Sequence, residues 1–232
     1  MPDDMTPQQV LITRPEPGAS ELARALGGGI VSPVMRVAPR ELALPEGLAG
    51  LVLTSANGVR ALGGRGPRLA WCVGDRTAAE AEAAGYEAHS AGGDSDALVA
   101  LIAAHGAGPL LHVRGAHARG DVAARLTAAG VPCAEAVAYD QPFVPLTAEA
   151  EAALAGTAPL LVPLYSPRAA ARLAVLARNA AAPLHVVAMS PAVARAARPL
   201  GPARVAERPD ADAMLLTVRE CLANDPPGLD RP

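Results

Sequence analysis

Short apolar runs alternate along the chain with longer segments in which apolar residues recur at helical spacing. The strand-like runs are, in order, Val10–Thr13, Leu51–Leu53, Leu69–Val73, Leu110–Val113, Glu135–Gln141, Leu160–Leu164 and Leu184–Ala188. Most of them precede a helix-like segment, and glycines stand where several of these segments end. Strands that alternate with helices predict an α/β fold with parallel sheets.

Polar residues mark the junctions between predicted strands and predicted helices. The stretch LVLTSANGVRAL places Thr54 and Ser55 at one junction, and LVPLYSPRAAARL places Ser166 at another. Hydroxyl side chains at such positions commonly cap helices. The same helix starts offer backbone N–H groups and a dipole that attract anions, so both interpretations stay open. Other candidate caps are Asp94 or Ser95, Asp121, Thr147 and Asp210.

Parts of the pattern occur twice. Matched pairs, with their separations in residues, include Ser55 with Ser166 (111), Gly74 with Ser190 (116) and Arg14 with Arg114 (100). The chain therefore divides into segments A (10–40), B (50–104), A′ (109–141) and B′ (147–222). This order predicts two similar α/β lobes with a cleft between them, and strand–helix junctions that line the cleft. Such a cleft suits an extended anion with several separate charges.

Composition and charge narrow the class of ligand and the compartment. The chain is 51% hydrophobic and 2% aromatic, its formal net charge is -3, and all 20 basic residues are arginine. Any cationic contact to an anion is therefore expected from a guanidinium. No basic stripe, aromatic platform or apolar run of about 18 residues is present, so we expect no nucleic-acid or membrane partner.

The cysteines and the amino-terminal segment predict a cytoplasmic protein. Cys72, Cys133 and Cys221 are isolated, which does not favour a disulfide framework. The segment MPDDMTPQQV is acidic and polar, which is not typical of a secretory signal. Nothing in the pattern indicates an exposed apolar seam, and we expect a monomer.

Motifs for nucleotides, metals and nucleophile elbows are missing from the sequence. No G-x-G-x-x-G follows a strand, a P-loop is excluded by the lack of lysine, and no G-x-S-x-G is found. His112 and His117 only weakly suggest a metal pair, since no further ligands accompany them. We expect no metal and no organic cofactor, and a site that acts by shaping and holding its ligand.

Six segments, in order and over nearly the whole chain, resemble the uroporphyrinogen-III synthase family. They are VLITRPEPGASELARAL, LVLTSANGVRAL, VGDRTAAEAEAAGY, LLHVRGAHARGDVAARLTAAGVPCAEAVAYDQ, LYSPRAAARL and PDADAMLLTV. The resemblance implies two parallel-sheet α/β lobes joined by a two-stranded linker near Met35–Arg40 and Ala138–Phe143. The implied domains are a discontinuous lobe of residues 1–36 plus 143–232 and a second lobe of residues 40–138, with a disordered tail at 224–232.

The resemblance also implies the reaction. The family cyclises hydroxymethylbilane, a linear tetrapyrrole with an acetate and a propionate on each ring, to uroporphyrinogen III in heme biosynthesis. Hydroxide leaves one end to give an azafulvene. The D ring is then attacked at its substituted carbon to form a spiro intermediate, and reclosure leaves that ring inverted with net loss of water. No cofactor is used, and a transient hand-over of substrate from the preceding pathway enzyme is expected.

Roles for individual residues follow from the same resemblance. Tyr139 in VAYDQ matches the tyrosine that is thought to assist loss of the hydroxyl group, and Thr77 in VGDRTA matches a binding position and acid–base helper. From the residues alone, Tyr139 can equally be a packed hinge residue and Thr77 a helix cap. The expected substrate-binding residues are Arg14, Thr54, Ser55, Asn57, Gly74, Arg114, Ser166, Arg168 and Ser190.

One departure from the family pattern leaves other functions open. The family often has I-G-P-x-T-A late in the chain, whereas this chain has Met189-Ser190-Pro191-Ala192-Val193-Ala194. Val193 thus replaces a threonine. The alternatives are a non-catalytic, hinged α/β protein that binds a polycarboxylate, and a paralogue that aids heme biosynthesis without turnover.

Overall fold

The computed structural model describes residues 9–106, 108–118 and 120–223. The predictions for the amino-terminal segment before residue 9 and for a disordered tail at 224–232 lie outside these residues. The chain divides into two compact units: unit 1 is Met1–Arg36 with Phe143–Pro232, and unit 2 is Val37–Pro142.

Strands and helices alternate in both units. The strands are β1 (Gln9–Ile12), β2 (Ile30–Val31), β3 (Ala38–Pro39), β4 (Gly50–Leu53), β5 (Leu69–Cys72), β6 (Glu87–Ser90), β7 (Leu110–Gly115), β8 (Cys133–Asp140), β9 (Leu160–Leu164), β10 (Leu184–Ala188) and β11 (Ala203–Val205). The helices are α1 (Gly18–Leu26), α2 (Ala56–Leu62), α3 (Asp75–Ala83), α4 (Ser95–His105), α5 (Val122–Ala128), α6 (Ala148–Ala155), α7 (Pro167–Leu176), α8 (Pro191–Ala197) and α9 (Ala211–Ala223). A short 3-10 helix, Arg198–Leu200, follows α8.

Unit 1 is built on a parallel sheet with the strand order β11-β10-β9-β1-β2. Its strands are apolar on both faces, as expected for a parallel sheet covered by helices on both sides. Leu11 and Val162 belong to the core on one face. Ile12, Leu161 and Met214 belong to the core on the other face, under α1 and α9.

Unit 2 is built on a sheet with the order β3-β8-β7-β4-β5-β6. All neighbours pair in parallel except β3, which pairs antiparallel with β8. Leu51 and Leu53 pack with residues of α2 and α3 on one face. Val52 and Trp71 pack with residues of α4 and α5 on the other face.

The two sheets have corresponding topologies. The order β2-β1-β9-β10-β11 in unit 1 matches β8-β7-β4-β5-β6 in unit 2, with segments A and A′ supplying the first two strands and B and B′ the last three. In each sheet two neighbouring parallel strands, β1 and β9 or β7 and β4, mark a switch point, where the order in which successive strands join the sheet reverses. Ligands of open parallel sheets bind at the carboxyl ends of strands beside such a switch point.

Side-chain caps fix most helix starts at the predicted junctions. Ser55 Oγ accepts from the Asn57 N–H at 3.2 Å, and Asp94 accepts from the N–H groups of residues 96 and 97. Thr147 caps α6 and Asp210 accepts from the Ala213 N–H at 2.8 Å. The prediction that Asp121 caps a helix is wrong. Asp121 does precede α5, but its side chain makes no capping hydrogen bond, since its backbone is left-handed with φ 43°.

The segments expected to form a linker do pair antiparallel. Ala38 pairs with Asp140 in unit 2, and Met35 forms a bridge with Phe143 in unit 1. The predicted α/β class with parallel sheets is therefore confirmed. The cleft between lobes stays a prediction. Across the described ranges, none of the helices has the length and apolar character needed to span a bilayer.

Candidate functional site

A cavity of about 220 Å³ opens at the carboxyl ends of the central strands of unit 2. It is lined by Thr54, Ser55, Val73, Ser95, Gly115, His117, Ala118, Tyr139 and Gln141. Thr54 and Ser55 follow β4, Gly115 ends β7, and Tyr139 lies near the end of β8. The cavity therefore lies beside the switch point between β4 and β7, where the topology predicts a ligand.

Tyr139 is directed by an irregularity in the sheet. The register of β7 and β8 shifts after Arg114, so that Gly115 pairs with Tyr139. Such a bulge commonly redirects a side chain next to a functional site. The Tyr139 ring is 6% exposed and lies against Gly115, where a Cβ would be 2.6 Å from Cε2 and 3.0 Å from the hydroxyl oxygen. The ring can occupy this position only because residue 115 has no side chain.

Thr54 is hydrogen-bonded to a buried side chain outside the cavity lining. Its Oγ1 lies 3.1 Å from Nε2 of His112, which is 1% exposed on the neighbouring strand β7. Nδ1 of the same ring lies 3.5 Å from Oε1 of Glu135, which is opposite His112 on β8. Thr54 is thus the cavity end of a row of polar side chains.

Arg114 holds the other end of this row. Its guanidinium contacts Oε2 of Glu135 at 2.8 Å and 2.9 Å, and it also donates to the Gly115 carbonyl at 3.1 Å. Burial acts to raise the pKa of Glu135, but the hydrogen bond and charge of Arg114 outweigh it, so that the pKa lies below its ordinary value. Burial lowers the pKa of His112, against the opposing effect of Glu135. The row therefore contains a neutral imidazole and a carboxylate at neutral pH.

The junction after β4 also contains Asn57 and Gly58, which have structural roles. Asn57 does not line the cavity; its Oδ1 accepts from Arg60 at 3.1 Å, and Arg60 pairs with Glu80. A Cβ on Gly58 would lie 2.9 Å from the Val113 carbonyl oxygen, so this residue lets α2 approach β7 closely. The cluster Thr54 to Gly58 thus combines two cavity residues, a helix cap and a packing glycine.

Thr77 and Gly74 lie at the start of α3, beside the cavity residue Val73 in sequence but outside the cavity lining. Gly74 holds the position before the helix, and the buried Thr77 is at the third helical residue, with its N–H bonded to the Gly74 carbonyl at 3.0 Å. The alternative of Thr77 as the helix cap is therefore wrong.

The remaining predicted residues belong to unit 1. Arg14 follows β1, and its guanidinium carbon lies 4.1 Å from the centre of the Tyr165 ring, beside the switch point of this sheet. Ser166 and Ser190 cap α7 and α8 by accepting from backbone N–H groups at 3.1 Å and 3.4 Å.

Arg168 and the departure at residue 193 also lie in unit 1. The Arg168 guanidinium carbon is 4.4 Å from the centre of the Phe143 ring. Val193 is 2% exposed and belongs to the core on one face of the sheet. It fills an apolar position in this chain, which explains why a threonine is not needed there for packing.

A larger cavity of about 500 Å³ lies between β11 and α9 in unit 1. It contains none of the predicted residues, and its side chains Arg204 and Glu220 form an ion pair. The smaller cavity of unit 2 is the candidate functional site because it lies at a switch point and is lined by hydroxyl, phenol, imidazole and amide groups.

Sequence reasoning missed several residues of the site. Ser95, His117 and Gln141 line the cavity, and His112 supports it. Gln141 stands two residues after Tyr139 in the quoted motif, and His117 stands three after Arg114, so proximity to a predicted residue was the available signal. Within the residues that the structure describes, no group of three or more His, Cys, Asp or Glu side chains could hold a metal ion.

The molecule is thus a two-unit α/β protein with a polar cavity at the carboxyl ends of the parallel strands of unit 2. The family model for uroporphyrinogen-III synthase HemD matches residues 18–215. The chain belongs to the uroporphyrinogen-III synthase family. Its function is the cyclisation of hydroxymethylbilane to uroporphyrinogen III in heme biosynthesis, and it is a lyase.

Solved structures agree on the fold. The uroporphyrinogen-III synthetase of Helicobacter pylori is similar with a TM-score of 0.67 and 15% identity, over 93% of this chain and 99% of that one. A mutant uroporphyrinogen III synthase of Thermus thermophilus gives a TM-score of 0.51 and 15% identity, over 93% of this chain and 98% of that one. The search of curated proteins found no match.

Proposed function

We propose that the cavity of unit 2 is where the cyclisation takes place, with Tyr139 assisting the loss of the hydroxyl group. The observation that carries the proposal is the phenol of Tyr139 at a polar cavity beside the β4–β7 switch point. A tyrosine hydroxyl can donate a hydrogen bond to a departing oxygen.

The size of the cavity indicates how much of the substrate it receives. Sites for whole small molecules usually measure about 300–1,000 Å³. The volume of about 220 Å³ is below that range and suits a part of a tetrapyrrole, such as one substituted ring. The hydroxymethyl group and its ring would then lie beside Tyr139, and the rest of the substrate would extend beyond this cavity.

The first step needs help at two places: the oxygen that leaves and the nitrogen of the ring that carries it. The carbon–oxygen bond breaks, hydroxide leaves with the bonding electrons, and the ring nitrogen supplies electrons to the exocyclic carbon. The cation that results becomes the neutral azafulvene when its N–H proton passes to the hydroxide to give water. A hydrogen bond from Tyr139 to the leaving oxygen stabilises the charge that develops there. Ser55, Ser95 and Gln141 offer further donors and acceptors that can orient the ring in the cavity.

Residues outside this cavity are proposed to bind the other carboxylates. Arg14 and Arg168 supply guanidinium groups in unit 1, which suit carboxylate recognition. The capped starts of α7 and α8 at Ser166 and Ser190 offer backbone N–H groups in the same unit. Thr77, in the first turn of α3, is proposed to bind substrate and to help with proton transfer.

Replacing Tyr139 with phenylalanine tests the catalytic role. We expect kcat to fall about 100-fold, because acid–base and hydrogen-bonding groups contribute at least that much to proton-assisted steps. KM should change less than about threefold, since the ring itself is kept. Steady-state kinetics with freshly prepared hydroxymethylbilane measure both.

Tyr86→Phe is the matched control. Tyr86 is also buried in unit 2, and its hydroxyl donates to the Arg65 carbonyl at 2.7 Å, away from the cavity. Its loss should leave kcat unchanged. Equal kcat in Tyr139→Phe and the control would contradict the proposed role and favour a packing role for Tyr139.

The setting of the reaction is also part of the proposal. We expect a cytoplasmic monomer that receives its unstable substrate by transient hand-over from the preceding enzyme, as a biosynthetic family member would. Light scattering coupled to gel filtration tests the monomer, and a mass equal to twice that of the chain would contradict it.

A further inference from the structure

His112 is a buried ionisable side chain that the proposed chemistry leaves without a role. It is 1% exposed, and alternation along β7 places it on the same face as Leu110, which packs with residues of α4 and α5. A polar ring in such a place usually offsets the cost of its burial with hydrogen bonds. Its two nitrogens have different neighbours, and that difference decides how Thr54 can act.

The neighbours of the ring determine which nitrogen carries the proton. Nδ1 faces the Glu135 carboxylate oxygen at 3.5 Å, and it has no hydrogen-bond partner within the part of the chain that the structure describes. A lone pair on Nδ1 would face the negative oxygen, whereas an N–H there is attracted to it. Arg114 fixes the position of Glu135 through its other oxygen. The arrangement therefore favours the tautomer with the proton on Nδ1.

The tautomer decides the direction of the hydrogen bond to Thr54. With Nδ1 protonated, Nε2 carries a lone pair and accepts the Thr54 hydroxyl proton over 3.1 Å. A threonine hydroxyl has one hydrogen and two lone pairs. Once the hydrogen is held by His112, only the lone pairs of Thr54 are available to a ligand in the cavity.

We propose that His112 is a positioning residue that makes Thr54 a hydrogen-bond acceptor in the cavity, and that the group bound there is a pyrrole N–H of the substrate. The assignment of the donor rests on the proposed function. A carboxylate of the substrate is an acceptor and is rejected at this point, whereas each pyrrole ring has an N–H to donate. Loss of hydroxide places positive charge on the ring, which strengthens its N–H as a donor to Thr54.

The tautomer can be measured without substrate. Nitrogen NMR of protein labelled in its histidine rings distinguishes a protonated ring nitrogen from a bare one, and the signals lost in His112→Gln identify His112. At neutral pH we expect Nδ1 protonated and Nε2 bare. A proton on Nε2 would overturn the proposal, because Thr54 would then accept from His112 and be free to donate.

A double-mutant cycle tests whether His112 acts through Thr54. Thr54→Val and His112→Leu should each lower kcat about tenfold, the equivalent of one hydrogen bond to a charged group. The double variant should lose no more than Thr54→Val alone, because the two residues act as one unit. Losses that multiply in the double variant would overturn the proposal.

Further variants separate this role from a role in folding. Thr54→Ser keeps the hydroxyl and should recover most of the activity lost in Thr54→Val, and His112→Gln keeps an acceptor oxygen and should outperform His112→Leu. Thr127→Val, which removes a hydroxyl bonded to the Ala123 carbonyl and to the Cys133 backbone in the same unit, is the control and should keep the wild-type kcat. A wild-type protein that forms no type III product would refute the proposed function, while the NMR result would still decide the tautomer.

Discussion

At the scale of single residues, the position of the Tyr139 ring depends on the lack of a side chain at Gly115. A methyl group at residue 115 would lie 2.6 Å from Cε2 and 2.7 Å from Cζ of Tyr139, closer than atoms can pack. Gly115→Ala should therefore displace the phenol and lower kcat toward that of Tyr139→Phe, since a misplacement of about 1 Å can cost roughly 100-fold. Kinetics with circular dichroism as a folding control test this. A variant with wild-type kcat would show that the position of the phenol is not critical.

His112 also predicts how stability depends on pH. Burial keeps its pKa below the ordinary 6.5 in the folded protein, although Glu135 opposes this effect; Arg114 also lowers it. Cys133 stays a neutral thiol, because burial raises its pKa to about 11. Below pH 6.5 the unfolded chain binds more protons at this residue than the folded one, so the free energy of unfolding should fall as the pH decreases and be independent of His112 above that pH.

Comparison with His112→Gln isolates this contribution. Denaturant unfolding between about pH 6.5 and 5.5 should show a steeper loss of stability in the wild type than in the variant. The slopes, not the absolute stabilities, are compared, since the variant also changes a hydrogen bond. Parallel slopes would mean that His112 is protonated in the folded protein as readily as in the unfolded one.

Single residues of the site were predictable only where a local pattern marked them. Thr54 and Ser55 were found because a hydroxyl pair follows a strand-like run, and Tyr139 only through the family resemblance. His112 was predictable only as a weak metal candidate and Glu135 only as part of a strand, because a contact between two paired strands is not visible in local sequence. Arg114 was predicted to bind substrate, and the structure places its guanidinium on Glu135.

At the scale of elements, Gly58 allows the close contact between α2 and β7. Alanine is the better helix former by about 1 kcal/mol, which alone would make Gly58→Ala stabilising. A Cβ at residue 58 would, however, lie 2.9 Å from the backbone oxygen of Val113, which cannot move aside without shifting β7. Overpacking of this kind costs about 1–3 kcal/mol, so we expect a net loss of stability in thermal or denaturant unfolding. A raised melting temperature would contradict this close approach.

Elements with long apolar runs were predictable, and short edge strands were not. The predicted bounds of β9 and β10 agree with the structure, because both are interior strands with continuous apolar runs, and every residue of β9 is buried. β6 and β11 were not predicted, since each is a partly exposed edge strand of three or four residues without an apolar run. The bulge that redirects Tyr139 depends on the register between two strands, which local sequence does not specify.

The repeat links the sequence to the fold at the scale of the whole molecule. Segments separated by 100 to 116 residues form strands in corresponding places of two sheets, so the periodicity predicted the shared topology. It did not predict that the polar cavity of unit 2 has different chemistry from the equivalent edge in unit 1. There the switch point carries Arg14 stacked on Tyr165. Duplication conserves the path of the chain, while single substitutions give each edge its own chemistry.

The isomer of the product tests the central claim most directly. Hydroxymethylbilane that closes spontaneously gives the type I isomer, whereas closure with D-ring inversion gives type III. We expect the protein to yield type III in an amount that rises with protein concentration, as measured by chromatography of the oxidised porphyrins. An isomer ratio equal to that of a protein-free control would contradict the account.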